Sequence, residues 1–107
     1  MNKIDIIRQA IRERQPIEFE SKEGSGQRIG NPQVLYVFRS KAGAESTKVD
    51  IEQTAGVSSS KKPFPSFRTF DFEELVIISV LESKGPFAPS VDYEPTSDRY
   101  EFAIEKV

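Results

Sequence analysis

Phe64, Phe67 and Arg68 stand close together at the end of a low-complexity stretch. Flat aromatic faces beside a guanidinium can stack a nucleobase and hold its phosphate, and each stacked base is worth about 1–3 kcal/mol. The competing reading is core packing. One of Phe67 and Phe70 then turns inward and the other lies against the C-terminal segment, while Phe64, between Pro63 and Pro65, is exposed. On a preceding segment Lys48 and Gln53 can complete a polar concave face. Lys61 and Lys62 can clamp an anion or remain a solvated pair of charges.

Bond-making chemistry has little to draw on. The chain of 107 residues contains no Cys and no His. That removes thiolate nucleophiles, disulfides, the commonest general base and the commonest metal ligand. No spacing of Asp and Glu marks a metal site, and no EF-hand-like run appears. An enzyme would need a Ser–Lys or carboxylate pair assembled by folding, and no signature supports one. The expectation is a non-catalytic binding module with no metal and no cofactor.

Charge is unevenly spread. Residues 1–68 carry 12 basic and 8 acidic side chains, a net of +4, whereas residues 69–107 carry 3 basic and 9 acidic, a net of −6. A basic face can therefore be built only from the first two thirds. The acidic final third can dock on basic residues elsewhere or face a basic partner. The N-terminus lacks an apolar signal segment and no apolar run approaches membrane-spanning length, so no membrane role is expected and a cytoplasmic location is the default.

The elements that must position these groups follow from periodicity. Asn2 caps a first helix over residues 1–15, with Ile4, Ile7 and Ile11 on one stripe beside Ala10. Pro16 ends it near Arg14. Residues 17–20 alternate as a half-buried strand, and the polar, glycine-bearing residues 21–27 form a hairpin turn. The return strand runs on to Phe38, with Pro32 marking a bulge or an edge. Residues 46–53 form a third strand, 54–66 a long exposed loop, and 67–71 a fourth strand. Residues 72–75 read as one turn of 3₁₀ helix. The apolar run from Val76 reads as a fifth, central strand buried on both faces. Residues 85–95 wrap irregularly. Ser97 caps a short final helix over 98–106, with Tyr100 and Ile104 on one face and Arg99 paired to Glu101 or Glu105. The whole is one domain: the helix, a five-stranded curled sheet or partly open barrel over 16–83, and a C-terminal wrap and helix over 84–107.

In this order the chain resembles the WYL-domain family, in particular its small stand-alone members. Residues 4–14 with Pro16-Ile17-Glu18-Phe19 are similar to the family's helix and first strand. Gln27-Arg28-Ile29-Gly30-Asn31-Pro32 is similar to its Arg-hydrophobic-x-Pro step. Phe67-Arg68-Thr69-Phe70-Asp71 through Leu75 is similar to its fourth strand and turn, and Phe87-Ala88-Pro89 through Tyr93-Glu94-Pro95 to its tail. The naming Trp-Tyr-Leu tripeptide is absent, and Thr47-Lys48-Val49 stands in its place. The resemblance implies an SH3-like, Sm-type five-stranded barrel with a helix at each end, and a role in bacterial or phage regulation. It maps Arg28 and Arg68 to the family's basic positions. A guanidinium donates bidentate hydrogen bonds to phosphate or carboxylate, or alternatively pairs with a neighbouring Glu or Asp.

The leading expectation is a module that senses an anionic small ligand, a nucleotide or a short single strand of nucleic acid through Arg28, Lys48, Gln53, Phe67 and Arg68. The alternative is a protein-interaction or homo-oligomerisation domain that uses an open barrel edge.

Overall fold

The computed structural model describes residues 2–58 and 62–107. Helix α1 (Lys3–Glu13) begins where the Asn2 side chain accepts from the Asp5 backbone N–H at 3.0 Å. It ends at Arg14, which takes the left-handed conformation ahead of Pro16. Its buried face is Ile7, Ala10 and Ile11, the stripe read from the sequence. Strands β1 (Ile17–Glu20), β2 (Gln27–Arg39), β3 (Glu45–Gly56), β4 (Ser66–Asp71), β5 (Val76–Val80) and β6 (Ala103–Lys106) form one antiparallel sheet. The order is β4-β3-β2-β1-β5, with β6 also paired to β2. The mainly β character is as expected, with six strands rather than five.

Strand β2 is long enough to serve two neighbours on one edge. β1 covers residues 27–30 and β6 covers 34–36. Between them the register with β3 shifts from Pro32 to Val34, which places a bulge at Gln33. Pro32 has no N–H to contribute, so the ladder is interrupted where it costs least. Gln33 is fully buried. Its side chain donates to Asn31 O at 2.8 Å and accepts from Ser90 N at 2.9 Å, which pins the C-terminal wrap.

The two faces of the sheet carry two cores. Ile17, Phe19, Leu35, Val49, Ile51 and Leu75 pack with the buried face of α1. On the other face Val34, Tyr36, Tyr93 and Tyr100 pack with Phe67 and Ala103 under the wrap. Phe70 meets Phe19 edge-on at 5.2 Å, so Phe70 serves the first core and Phe67 the second. This is the division expected of that pair.

Three expectations are overturned. The final helix is instead a 3₁₀ turn (Asp98–Tyr100) followed by β6. A helix that short is marginal by itself, whereas β6 satisfies the backbone of β2 beyond the end of β1. Tyr100 and Ile104 therefore serve opposite cores. The fifth strand is not central: β5 ends the strand order, and Ile77 is 64% exposed. It also carries a bulge. Phe19 lies between the paired positions Glu18↔Ser79 and Glu20↔Val76, leaving Ile77 and Ile78 opposite one residue. Ile77 has φ 54, a left-handed conformation that opposes its branched side chain. Finally, β3 runs to Gly56, so the expected loop starts later. Residues 59–61, and with them Lys61, lie outside the described residues. The 3₁₀ turn at Phe72–Glu74 lies within the residues 72–75 expected to form it.

Candidate functional site

Strand parity decides which candidate residues meet. Arg28 is directly opposite Phe19 on β1 and Gly56 on β3, so its side chain is on the face of the first core. Gln53 is opposite Gly30 and Ser66, on that same face. Arg68 is two residues from both Ser66 and Phe70 and shares their side. Arg28, Gln53 and Arg68 therefore gather at one end of this face. Lys48 and Phe67 do not join them, being on the opposite face of the sheet. Lys48 makes an ion pair with Asp71, its cross-strand partner. Phe67 packs with Val34, Tyr36, Tyr93 and Tyr100.

Backbone geometry makes room for this gathering. Gly56 has φ 96, and a Cβ there would lie 2.3 Å from Gln27 O. Only glycine fits this approach. It lets Val57 N bond Gln27 O at 3.0 Å and carries the chain across the end of the sheet. Gln53 then holds the segment, donating to Ala55 O at 3.1 Å and Val57 O at 2.7 Å.

Arg28 is only 7% exposed. Its Nη1 donates to Gln53 Oε1 at 3.0 Å, and its guanidinium lies 5.4 Å above the Phe70 ring. Its Nε is buried and has no hydrogen-bond partner. Half-buried Arg68 donates from Nε to Ser66 Oγ at 3.1 Å and from Nη2 to Ser58 Oγ at 2.7 Å. Burial, followed by repulsion from Arg68, lowers the Arg28 pKa. An arginine nonetheless stays charged. Among the described residues no carboxylate forms an ion pair with either arginine. Elsewhere the acids find partners: Glu105 takes Arg8 and Arg12, Asp71 takes Lys48, and Glu74 takes Lys22. Docking of the acidic third on basic residues thus occurs, and it leaves this arginine pair out.

Searched against protein-family models, curated proteins and solved structures, the chain matches none.

A second polar cluster was not anticipated. Asp50 on β3, 1% exposed, accepts from Tyr36 Oη at 2.8 Å and Thr69 Oγ1 at 2.7 Å through one oxygen. The other oxygen accepts from Tyr100 Oη at 2.7 Å. Arg99 closes the ring, donating from Nε to Tyr36 Oη at 2.8 Å and from Nη2 to Thr69 Oγ1 at 3.1 Å. Its Nε lies 3.7 Å from Asp50, so Arg99 pairs there and not with Glu101 or Glu105 as expected. Burial pushes the Tyr36 phenol up to about 12, against the opposing pull of the Arg99 hydrogen bond. Burial also raises Tyr93 and Tyr100. The hydrogen bond to Tyr36 raises Arg99. An open groove of about 370 Å³ runs above, lined by Asp50, Thr69, Asp92, Glu94 and Arg99 among others. Every charged or hydroxyl group of the ring has a partner inside it, so its work is to fasten the C-terminal segment to the sheet. The sequence signal was present: Asp50 stands between the apolar core residues Val49 and Ile51, where an acid needs several donors.

Proposed function

We propose that this protein is a non-catalytic module that binds an anionic small ligand or the phosphates of a short nucleic-acid strand at Arg28 and Arg68. One observation carries the reading. Arg28 is a buried cation with an unpartnered Nε, beside a second cation, and among the described residues no carboxylate forms an ion pair with either. Buried charges are ordinarily paired, and an unsatisfied buried group calls for a missing ion or water. An anion between the two guanidiniums would relieve both the desolvation and the repulsion.

The strand order and the three-residue 3₁₀ turn between β4 and β5 support an SH3-like, Sm-type barrel. That arrangement fits the resemblance to stand-alone WYL domains and the regulatory role it implies. Pairing with another chain at the β5 edge is less favoured, because the bulge at Ile77 interrupts the ladder that strand would offer.

The test is a titration with mononucleotides and with short single-stranded RNA and DNA at low and at moderate salt. Binding should be strongest at low salt and weaken as counterions compete. No binding of any anion at low salt overturns the reading.

A further inference from the structure

The Nε and Nη2 hydrogens of an arginine point the same way and form the fork that grips two oxygens of one anion. In Arg68 that fork is filled by two neutral oxygens, Ser66 Oγ at 3.1 Å and Ser58 Oγ at 2.7 Å. They occupy the positions that two oxygens of an oxyanion would take. In these bonds only the donor is charged; an oxyanion adds the second charge and the Coulomb attraction that goes with it, so it displaces such hydroxyls and can then accept hydrogen bonds from them. Arg28 adds a further N–H that has no partner. Two cations and three N–H groups thus stand together, two of the N–H groups held by serine hydroxyls and the third unpartnered.

Counting oxygens and charge separates the ligand classes. A carboxylate offers two oxygens and one charge. An internal phosphodiester offers two non-bridging oxygens and one charge. A phosphate monoester offers three oxygens and a charge of about −1.5 to −2 at neutral pH. We propose that the Arg28–Arg68 site selects a terminal phosphate, a phosphomonoester, over phosphodiesters and carboxylates. Two phosphate oxygens take the fork of Arg68 in place of the serine hydroxyls, and the third turns to Arg28. This inference rests on the anion-binding reading above and narrows it.

Isothermal titration of the full chain at low ionic strength tests it, using 5′-AMP, 3′,5′-cyclic AMP, adenosine, inorganic phosphate and succinate as probes. AMP and inorganic phosphate should bind. Cyclic AMP and succinate should bind at least about tenfold more weakly, a difference of about 1.4 kcal/mol. Adenosine should not bind. The variant Arg68→Lys keeps the charge and loses the fork, so AMP and cyclic AMP should then bind alike. Cyclic AMP or succinate matching AMP overturns the selectivity while leaving anion binding intact. The same holds if Arg68→Lys retains the preference. Adenosine binding as tightly as AMP overturns phosphate recognition in favour of the ring. Binding of none of the anions overturns the underlying reading itself.

Discussion

Replacing Arg28 by methionine separates a binding residue from a structural one. The side chain contributes one hydrogen bond to Gln53, at 3.0 Å, and a guanidinium–ring contact with Phe70. A charged hydrogen bond is worth about 1.5–3 kcal/mol. The ring contact adds about 0.5–1 kcal/mol. Against these stand the orphaned Nε, about 1–3 kcal/mol, and a desolvated cation held beside Arg68. Methionine keeps the apolar stem and places a thioether over Phe70, a favourable contact in its own right. The opposing effects nearly offset, so Arg28→Met should stay within about 1 kcal/mol of the wild type in stability. Urea unfolding would read this as a small change in midpoint at constant slope. Phosphate affinity, measured on the same preparation, should fall by about tenfold or more, the loss of one charged contact. A stability loss above about 3 kcal/mol with unchanged anion binding would refute the reasoning, because that is what removing a structural buried charge partner costs.

Other outcomes follow from the second cluster and the edge. Asp50→Ala removes the acceptor of three hydroxyls and leaves Arg99 without its carboxylate. It should cost about 3–5 kcal/mol in chemical unfolding, and a cost below about 1 kcal/mol would discount the ring as a fastener. Tyr36 has its folded pKa raised to about 12. Its contribution to stability is therefore complete below the ordinary tyrosine pKa of about 10 and is lost as pH rises through the folded value. Tyrosinate absorbance and loss of near-ultraviolet dichroism should accordingly rise together in strong alkali, and tyrosine ionising with the fold intact would contradict this. Ile77→Gly relieves a left-handed residue that buries little. The relief of about 1–2 kcal/mol exceeds the added chain entropy of glycine, about 0.5–1 kcal/mol. A modest rise in melting temperature is expected, and a fall would show that the isoleucine side chain packs more than its exposure suggests.

Local signals in the sequence read true where the cause was local. Asn2 and Pro16 bracket the helix, glycines 24 and 26 form the first hairpin turn, and Pro32 marks the bulge. Where the cause was tertiary, they misled. Tyr100 and Ile104 have helical spacing, but the free edge of β2 draws residues 103–106 into a strand. The apolar run from Val76 looked like a doubly buried strand, yet a one-residue bulge turns Ile77 outward. The grouping of Arg28, Gln53 and Arg68 was legible, but the inclusion of Lys48 and Phe67 was not sound. Lys48 and Gln53 are five residues apart on one strand, and Phe67 adjoins Arg68, so alternation places each pair on opposite faces. The ring around Asp50 joins residues as far apart as Tyr36 and Arg99, which no local pattern announces.

The shared edge of β2 also sets an order of events during folding. The β2–β3 hairpin closes through the short turn between Arg39 and Glu45 and can form early. The contact between Arg99 and Tyr36 closes a separation of 63 residues, and β6 joins the edge of β2 across a span as long as that from Val34 to Lys106. Long closures are slow because their entropy is spent before the contacts repay it. The C-terminal strand is thus a long-range clasp, its span comparable to the pairing of Ile17 with Val80 that joins β1 to β5. Until it shuts, Asp50 waits for Tyr100 and Arg99, and the second core stays without its tyrosine cover.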